Sequence, residues 1–181
     1  MPKNNRGFSL IELLVVVMLL SLLVGLLVPA LNPLFATEAR QGAYQINSLL
    51  AKAKVYAMGR SDEVYIRIYV QDNRVYGDHL IVGKDGEKTV LSTEQLATKR
   101  SNVYITPPVG TSPYGLLGDT DEVYISFQRA TGALRVFGKT MAPPTTPYAT
   151  GDTAIISTAA GDKVYEVVII ATTGKHEVTQ P

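Results

Sequence analysis

The spacing of hydrophobic residues changes along the chain, and the first pattern is a continuous run. Residues 13–31 carry no charge and consist mainly of Leu and Val, with Ser21 as their one polar side chain. About 20 helical residues span the roughly 30 Å of a bilayer's hydrocarbon core. The pattern therefore predicts a helix of membrane-spanning length near the N-terminus.

After this run, apolar residues recur at spacings of three and four, which is typical of one face of an amphipathic helix. The stripe consists of Ala39, Ala43, Ile46, Leu50, Ala53 and Ala57. Pro29 and Pro33 allow two interpretations, a helix that ends at the membrane surface or one that continues. The stripe favours continuation, with Gly59 as a suitable stop.

From Val64 onward the period is two, as in a half-buried strand. Strands are predicted at residues 64–70, 74–76, 79–82, 89–91, 102–105, 123–128, 133–137, 153–157 and 164–171. Turn signals lie at residues 84–86, 130–132 and 160–162. Two long segments, 106–121 and 138–152, are predicted to be loops and are candidates for contacts with other subunits.

Together these patterns predict an α+β fold. A long N-terminal helix, transmembrane in its first half, is expected to pack on a C-terminal antiparallel β-sheet or sandwich domain. The charges ahead of the apolar run are Lys3 and Arg6, whereas Glu38 and Arg40 after it cancel. The positive-inside rule then places the N-terminus in the cytoplasm and exports the C-terminal domain, which predicts a single-pass protein of the cytoplasmic (inner) membrane.

Composition disfavours several functional classes. The chain has 17 Lys and Arg residues and 16 Asp and Glu residues. It therefore lacks the large basic excess that binds the phosphates of nucleic acid, and a nucleic-acid partner is disfavoured. The chain has no cysteine, which excludes disulfides and thiol chemistry, and its two histidines, His79 and His176, offer little for a metal site. We therefore expect no enzymatic activity, no catalytic residues, no bound metal and no cofactor.

Three groups of side chains are candidates for other chemistry. Asp119, Asp121 and Glu122 could ligate Ca²⁺, but their spacing lacks the remaining ligands of an EF-hand loop. No sequence pattern links His79 to a nucleophile such as Ser92. Asp78, the neighbour of His79, should point to the other face of the strand. The third group shares one predicted sheet face, where cross-strand packing is favoured over base stacking, and comprises Tyr65, Tyr69, Tyr76 and Tyr124.

An ordinary secretory signal peptide would also begin with a basic stretch followed by an apolar one. The apolar run here is longer than the usual 7–15 residues and has no small-x-small cleavage site after it. A Sec-exported β-sandwich binding protein with a cleaved signal is a hypothesis from another functional class.

Glu12 lies close to the start of the apolar segment, and an ionised carboxylate at a membrane centre costs at least ~2.5 kcal/mol unless something compensates it. The residues around it read Arg6-Gly7-Phe8-Ser9-Leu10-Ile11-Glu12. This resembles the class III leader of type IV prepilins and type II secretion pseudopilins, a short basic leader that ends in Gly, with Phe first and Glu fifth in the mature protein.

The resemblance implies that a prepilin peptidase cleaves between Gly7 and Phe8 and methylates the new amino group of Phe8. That amino group would then be the partner of Glu12, within the chain or in a neighbouring subunit during assembly. The implied organisation is a leader peptide at 1–7, a transmembrane and filament-core helix at 8–31, its amphipathic continuation at 32–59 and an exported β-domain at 60–181.

The layout of the chain also resembles the H-type minor pseudopilins of type II secretion and the FimT-type minor pilins. The resemblance rests on residues 51–59 before the first strand, on Ile125-Ser126-Phe127 followed by Gly132, and on residues 170–175. FimT-type proteins that act in DNA uptake carry Gly-Arg-x-Arg near the C-terminus, where this chain reads Gly174-Lys175-His176-Glu177.

These resemblances imply a structural minor subunit, a pseudopilin, of a type II secretion pseudopilus that serves protein export. The alternative is a minor pilin of a type IV pilus, active in adhesion, motility or DNA uptake. The implied partners are the prepilin peptidase, other pilin or pseudopilin subunits, the assembly platform of the secretion or pilus machine, and the membrane.

Overall fold

The fold was analysed in a computed structural model of the chain. The described residues are 9–98, 101–109, 112–116 and 120–181, and the side chains of residues 26–35 and 116 are outside this description. The chain divides into two compact units, Met1–Leu34 and Phe35–Pro181. The predicted leader at 1–7 lies outside the described residues.

One helix, α1, begins at Leu10 and ends at Gly59. It passes Pro29 and Pro33 without ending, which agrees with the predicted continuation. The amide of Arg60 donates to the carbonyl of Tyr56 in the last turn, 3.1 Å away. The helix ends at Gly59, as predicted, and the low helix propensity of glycine favours an end at this position.

Within the part of the chain that the structure describes, no helix combines the length and the hydropathy needed to cross a membrane. The predicted membrane segment, 8–31, extends past the described side chains at both of its ends.

Ten β-strands follow the helix. They are β1 (Glu63–Gln71), β2 (Arg74–Val82), β3 (Lys88–Ala97), β4 (Asn102–Thr106), β5 (Tyr114–Leu116), β6 (Glu122–Phe127), β7 (Leu134–Gly138), β8 (Thr153–Ala160), β9 (Lys163–Ile170) and β10 (Lys175–Thr179). All pairings among them are antiparallel, which confirms the predicted α+β class with a C-terminal antiparallel β-domain.

The strands form two five-stranded sheets. The first, sheet A, has the order β3-β2-β1-β6-β7, and the second, sheet B, has the order β10-β9-β8-β4-β5. The β1–β2 hairpin turns through Asp72 and Asn73, whose φ angles of 51° and 61° are those of a two-residue turn that suits the twist of the strands. Turns also form at the three predicted positions.

The core of the second unit lies between the helix and the inner faces of the two sheets. The predicted stripe is buried at all six positions, from Ala39 and Ala43 with no exposed surface to Ala57 at 5%. From sheet A, Ile66, Ile68 and Ile125 join this core, and sheet B contributes a comparable set. The period-three-and-four pattern therefore identified the face of α1 that packs on the sheets.

The observed strands differ from the predicted ones at several places. Residues 74–76 and 79–82 form one strand, β2, which pairs with β1 without a break at Gly77. The side chains of Leu49 and Leu96 occupy the space that a Cβ of residue 77 would need, at 2.6 and 2.9 Å, so glycine is required there. The segment 106–121, predicted to be a loop, contains β5, which pairs with β4. β10 was not predicted, and it pairs with β9 along its whole length.

Candidate functional site

Glu12 lies in the first turn of α1, and in the sequence it is the fourth residue after Phe8, the predicted first residue of the mature chain. The carbonyl of Ser9 accepts hydrogen bonds from the amides of Glu12 and Leu13, at 3.0 and 3.1 Å. Ser9 therefore immediately precedes the helix, and Ser9-Leu10-Ile11-Glu12 has the spacing of a capping box, in which Ser and Glu satisfy free amides of the first turn. A capping role is thus a second explanation for Glu12, beside a charge kept for assembly.

Gly7 and Phe8, the predicted positions of cleavage and N-methylation, lie outside the described residues. Of the three residues predicted to form the processing and assembly site, Glu12 is the one whose environment is described. Its side chain is exposed, so in a single chain it faces no protein partner that would bury it.

The helix around Glu12 presents apolar side chains on all sides. The large hydrophobic residues from Leu10 to Val24 are between 44% and 81% exposed. Ser21 is satisfied internally, because its hydroxyl donates to the carbonyl of Val17 at 2.8 Å. A continuous apolar surface of this kind marks a segment that binds other protein or lipid.

Within the second unit, the face of α1 opposite the core is also partly apolar. Tyr44, Val55 and Met58 are 51%, 68% and 48% exposed. The guanidinium of Arg40 lies over the ring of Tyr44, 5.5 Å from its centroid. The sequence analysis did not identify this face, although Tyr44, Val55 and Met58 repeat at helical spacing on the side that the core stripe leaves free.

His79 is fully buried between α1 and sheet A. Its Nε2 lies 3.1 Å from the carbonyl oxygen of Leu49, and its Nδ1 lies 3.0 Å from the hydroxyl of Ser92 on β3. A carbonyl only accepts, so Nε2 carries the proton in the neutral ring and Nδ1 accepts from Ser92. Burial lowers the pKa of His79, and the ring of Tyr56 meets the imidazole edge-on at 5.6 Å.

The structure thus brings together His79 and Ser92, which sequence analysis could not connect. They lie opposite each other in the register of β2 and β3. Asp78 lies on the other face of the sheet, as predicted for the neighbouring residue in a strand. Its buried carboxylate accepts from Arg67 and from Thr93, both at 2.7 Å.

The four tyrosines predicted to share one sheet face do so, on the outer face of sheet A. Tyr69 and Tyr76 are direct cross-strand partners and stack with ring centroids 5.9 Å apart. Tyr65 donates to Glu63 at 2.7 Å, and burial together with this hydrogen bond raises the pKa of Tyr65 to about 12. Tyr69 and Tyr76 therefore pack as a cross-strand pair, and the hydroxyls of Tyr65, Tyr69 and Tyr124 bind carboxylates.

Of the three candidate calcium ligands, Asp121 and Glu122 are among the described residues. Asp119 lies outside them, and Asp121 is 4.0 Å from the ammonium of Lys139. Among the residues that the structure covers, no group of three or more His, Asp or Glu side chains is placed to hold a metal ion.

A comparison with known protein families finds a match at the N-terminus. The Prokaryotic N-terminal methylation motif matches residues 2–28, a segment that includes Gly7, Phe8 and Glu12. No curated relative and no solved structure matches the chain. The match indicates a type IV pilin-like or pseudopilin protein, a class of structural subunits that a prepilin peptidase processes and that assemble with other pilin subunits.

Proposed function

We propose that this chain is a minor pseudopilin of a type II secretion system, a structural subunit that supports protein export and carries out no enzymatic step in the filament. The observation that carries the proposal is the methylation motif at residues 2–28, a segment that includes the exposed apolar part of α1 from Leu10 to Val24. The choice of type II secretion rests on the resemblance to H-type minor pseudopilins and on Glu177, which stands where DNA-uptake pilins have arginine.

In this proposal residues 8–31 hold the subunit in the cytoplasmic membrane, with the N-terminus in the cytoplasm and the β-domain exported. Prepilin peptidase cleaves between Gly7 and Phe8 and methylates the amino group of Phe8. Because the cut precedes the apolar helix, the helix remains in the mature protein. Its apolar side chains are then covered by lipid before assembly and by the helices of neighbouring subunits afterwards.

Glu12 would set the register of this assembly. A carboxylate in an apolar environment is unfavourable unless it is paired, so the subunit is stabilised when Glu12 meets an amino group at the N-terminus of a correctly placed subunit. A misplaced subunit would leave the charge unpaired, which disfavours incorrect docking. The platform that draws subunits from the membrane would therefore select the correct axial position.

Substitutions at Glu12 separate the assembly role from the capping role. Glu12→Gln keeps the hydrogen-bonding pattern of a capping box but removes the charge, whereas Glu12→Ala removes both. We expect both variants to reach the membrane and to be cleaved. Both should enter filaments at a level reduced about tenfold or more, because loss of the charge removes the pairing.

Ser21→Ala is the matched control, because Ser21 lies in the same helix and its hydroxyl bonds only to its own helix at Val17. It should assemble like the wild type. Filaments sheared from cells and quantified by immunoblot provide the measurement. Wild-type incorporation of Glu12→Gln would show that the charge does not set the register, and a defect confined to Glu12→Ala would assign Glu12 to capping.

Deletion of the gene distinguishes the secretion system from a pilus. Loss of folded exoproteins from the medium, with surface pili retained, is the expected result. Loss of pili with normal secretion would instead assign the chain to a type IV pilus.

A further inference from the structure

Ser92 occupies an unusual position at the edge of sheet A. β3 is the outermost strand of the sheet order, and Ser92 is exposed to solvent. The β2–β3 register shifts between His79 and Leu80, so that Ser92 pairs with His79, Val90 pairs with Leu80 and Leu91 is skipped. A bulge of this kind bends a strand and redirects its side chains, and bulges are frequent beside reactive sites.

The proton positions around Ser92 follow from the partners of His79. Nε2 must donate to the carbonyl of Leu49, which leaves Nδ1 with its lone pair directed at the hydroxyl of Ser92, 3.0 Å away. The imidazole is held in place from α1, by its hydrogen bond to the carbonyl of Leu49 and by the edge-on contact with the ring of Tyr56. A serine hydroxyl that donates to an oriented, neutral imidazole is the arrangement that activates serine as a nucleophile.

We propose that Ser92 is an activated serine that accepts acyl groups from small activated esters, with His79 as its general base. The site is open because Ser92 lies on an exposed strand, so the donor is a small molecule that approaches from solvent. This inference does not depend on the proposed function, since it concerns the unit Phe35–Pro181 of a single chain.

The reaction transfers one acyl group and one proton. The Oγ of Ser92 attacks the carbonyl carbon of the ester as its proton passes to Nδ1 of His79. The bond between that carbon and the leaving oxygen then breaks, and the proton is released from Nδ1 to the leaving group or to solvent. The products are acyl-Ser92 and the free alcohol, with no oxidation or reduction.

The charges around His79 nearly balance. Lys52 and Tyr56 face it from α1, Glu94 lies beside it on β3, and Asp78 is its neighbour on β2. Lys52 and Glu94 pair with each other at 2.6 Å. Because burial is the largest influence on the imidazole and favours its neutral form, His79 is available as a base at neutral pH.

The test uses the full chain in detergent and p-nitrophenyl acetate as the acyl donor, with acetylation of each serine followed by peptide mass spectrometry. General-base assistance contributes about 10²-fold or more, so Ser92 should be acetylated about 100-fold faster than the exposed Ser61. Ser92→Ala should remove the rapid adduct, whereas the matched control Ser61→Ala should leave it unchanged.

His79→Gln retains a donor for Leu49 and removes the base, so acetylation of Ser92 should slow about 100-fold while the thermal unfolding temperature stays close to that of the wild type. If this variant does not fold, the pH dependence of the acetylation rate in the wild-type protein tests the proposal. Between about pH 7 and pH 9 the rate at Ser92 should stay constant, because His79 is already neutral, whereas the rate at Ser61 should rise with hydroxide. Equal rates at Ser92 and Ser61, or a rate at Ser92 that rises with hydroxide, would overturn the proposal.

Discussion

At the residue scale, Gly174 lies in the turn between β9 and β10 with a φ of 59°. A Cβ at this position would lie 2.0 Å from the carbonyl oxygen of Gly132 and 3.0 Å from the ring of Phe127. Because the first neighbour is backbone, it cannot rotate away. Gly174 therefore permits the close approach of two turns, one after β6 and one after β9.

Gly174→Ala should lower the free energy of unfolding by about 3 kcal/mol or more, since it adds steric overlap to an unfavourable backbone conformation. Gly86→Ala is the matched control, because Gly86 also has a positive φ, 83°, but has open space where the Cβ would be. The control should lose only about 1 kcal/mol. Denaturant unfolding of both variants checks this, and equal losses would contradict the role assigned to the Gly132 carbonyl.

His79 links stability to pH. Its pKa is lowered by burial from the ordinary value of 6.5, so the unfolded chain binds a proton more readily than the folded one. This contribution to stability is complete above pH 6.5 and is lost as the pH falls from 6.5 through the folded pKa, with a slope of up to about 1.4 kcal/mol per pH unit.

His79→Gln should remove that slope when the free energy of unfolding is measured between about pH 7 and pH 5. Glu63 titrates in a separate range, because hydrogen bonds from Tyr65 and Arg135 lower its pKa below 4.5. An unchanged slope in the variant would show that the acid sensitivity arises elsewhere.

At the element scale, the part of α1 that lies in the second unit has a buried face and an exposed face. Leu50 has no exposed surface, and Val55 is 68% exposed. Leu50→Ala should therefore cost about 2–5 kcal/mol of unfolding free energy through lost burial and a residual cavity. Val55→Ala, the control on the same helix, should change it by less than about 0.5 kcal/mol.

Denaturant unfolding monitored by tyrosine fluorescence measures both. A similar cost at the two positions would mean that both faces of α1 are covered in the isolated chain.

The elements differ in how well the sequence predicts them, and the reasons are local. The helix stripe and its stop at Gly59 are encoded in spacing and propensity, so they were predicted. The continuity of β2 was not predicted, because a glycine inside a strand usually weakens it. Gly77 makes room for the side chains of Leu49 and Leu96, which come from distant segments of the chain. β5 was missed because its three residues are too few for a period to emerge.

The pairing of His79 with Ser92 was beyond sequence analysis for the same reason. It depends on the register of β2 and β3 and on the skipped Leu91, and both are set by the assembled sheet. The position of Asp78 on the opposite face, by contrast, follows from the alternation of side chains along a strand and was predicted.

At the scale of the whole molecule, the two units differ in how they use apolar residues. The unit Phe35–Pro181 buries its own core between α1 and two sheets. In the unit Met1–Leu34, the described large apolar side chains from Leu10 to Val24 stay exposed. The N-terminal unit is therefore built for contact with lipid or other chains, which is the use that the methylation motif indicates.

The N-terminal peptide of the protein isolated from its native membrane tests the central claim most directly. Mass spectrometry should find a chain that begins at Phe8, carries a methyl group on its amino nitrogen and retains the helix that follows. A chain that begins beyond residue 31 would contradict the account, because its apolar segment would then be a removed signal and Glu12 could have no role in a filament.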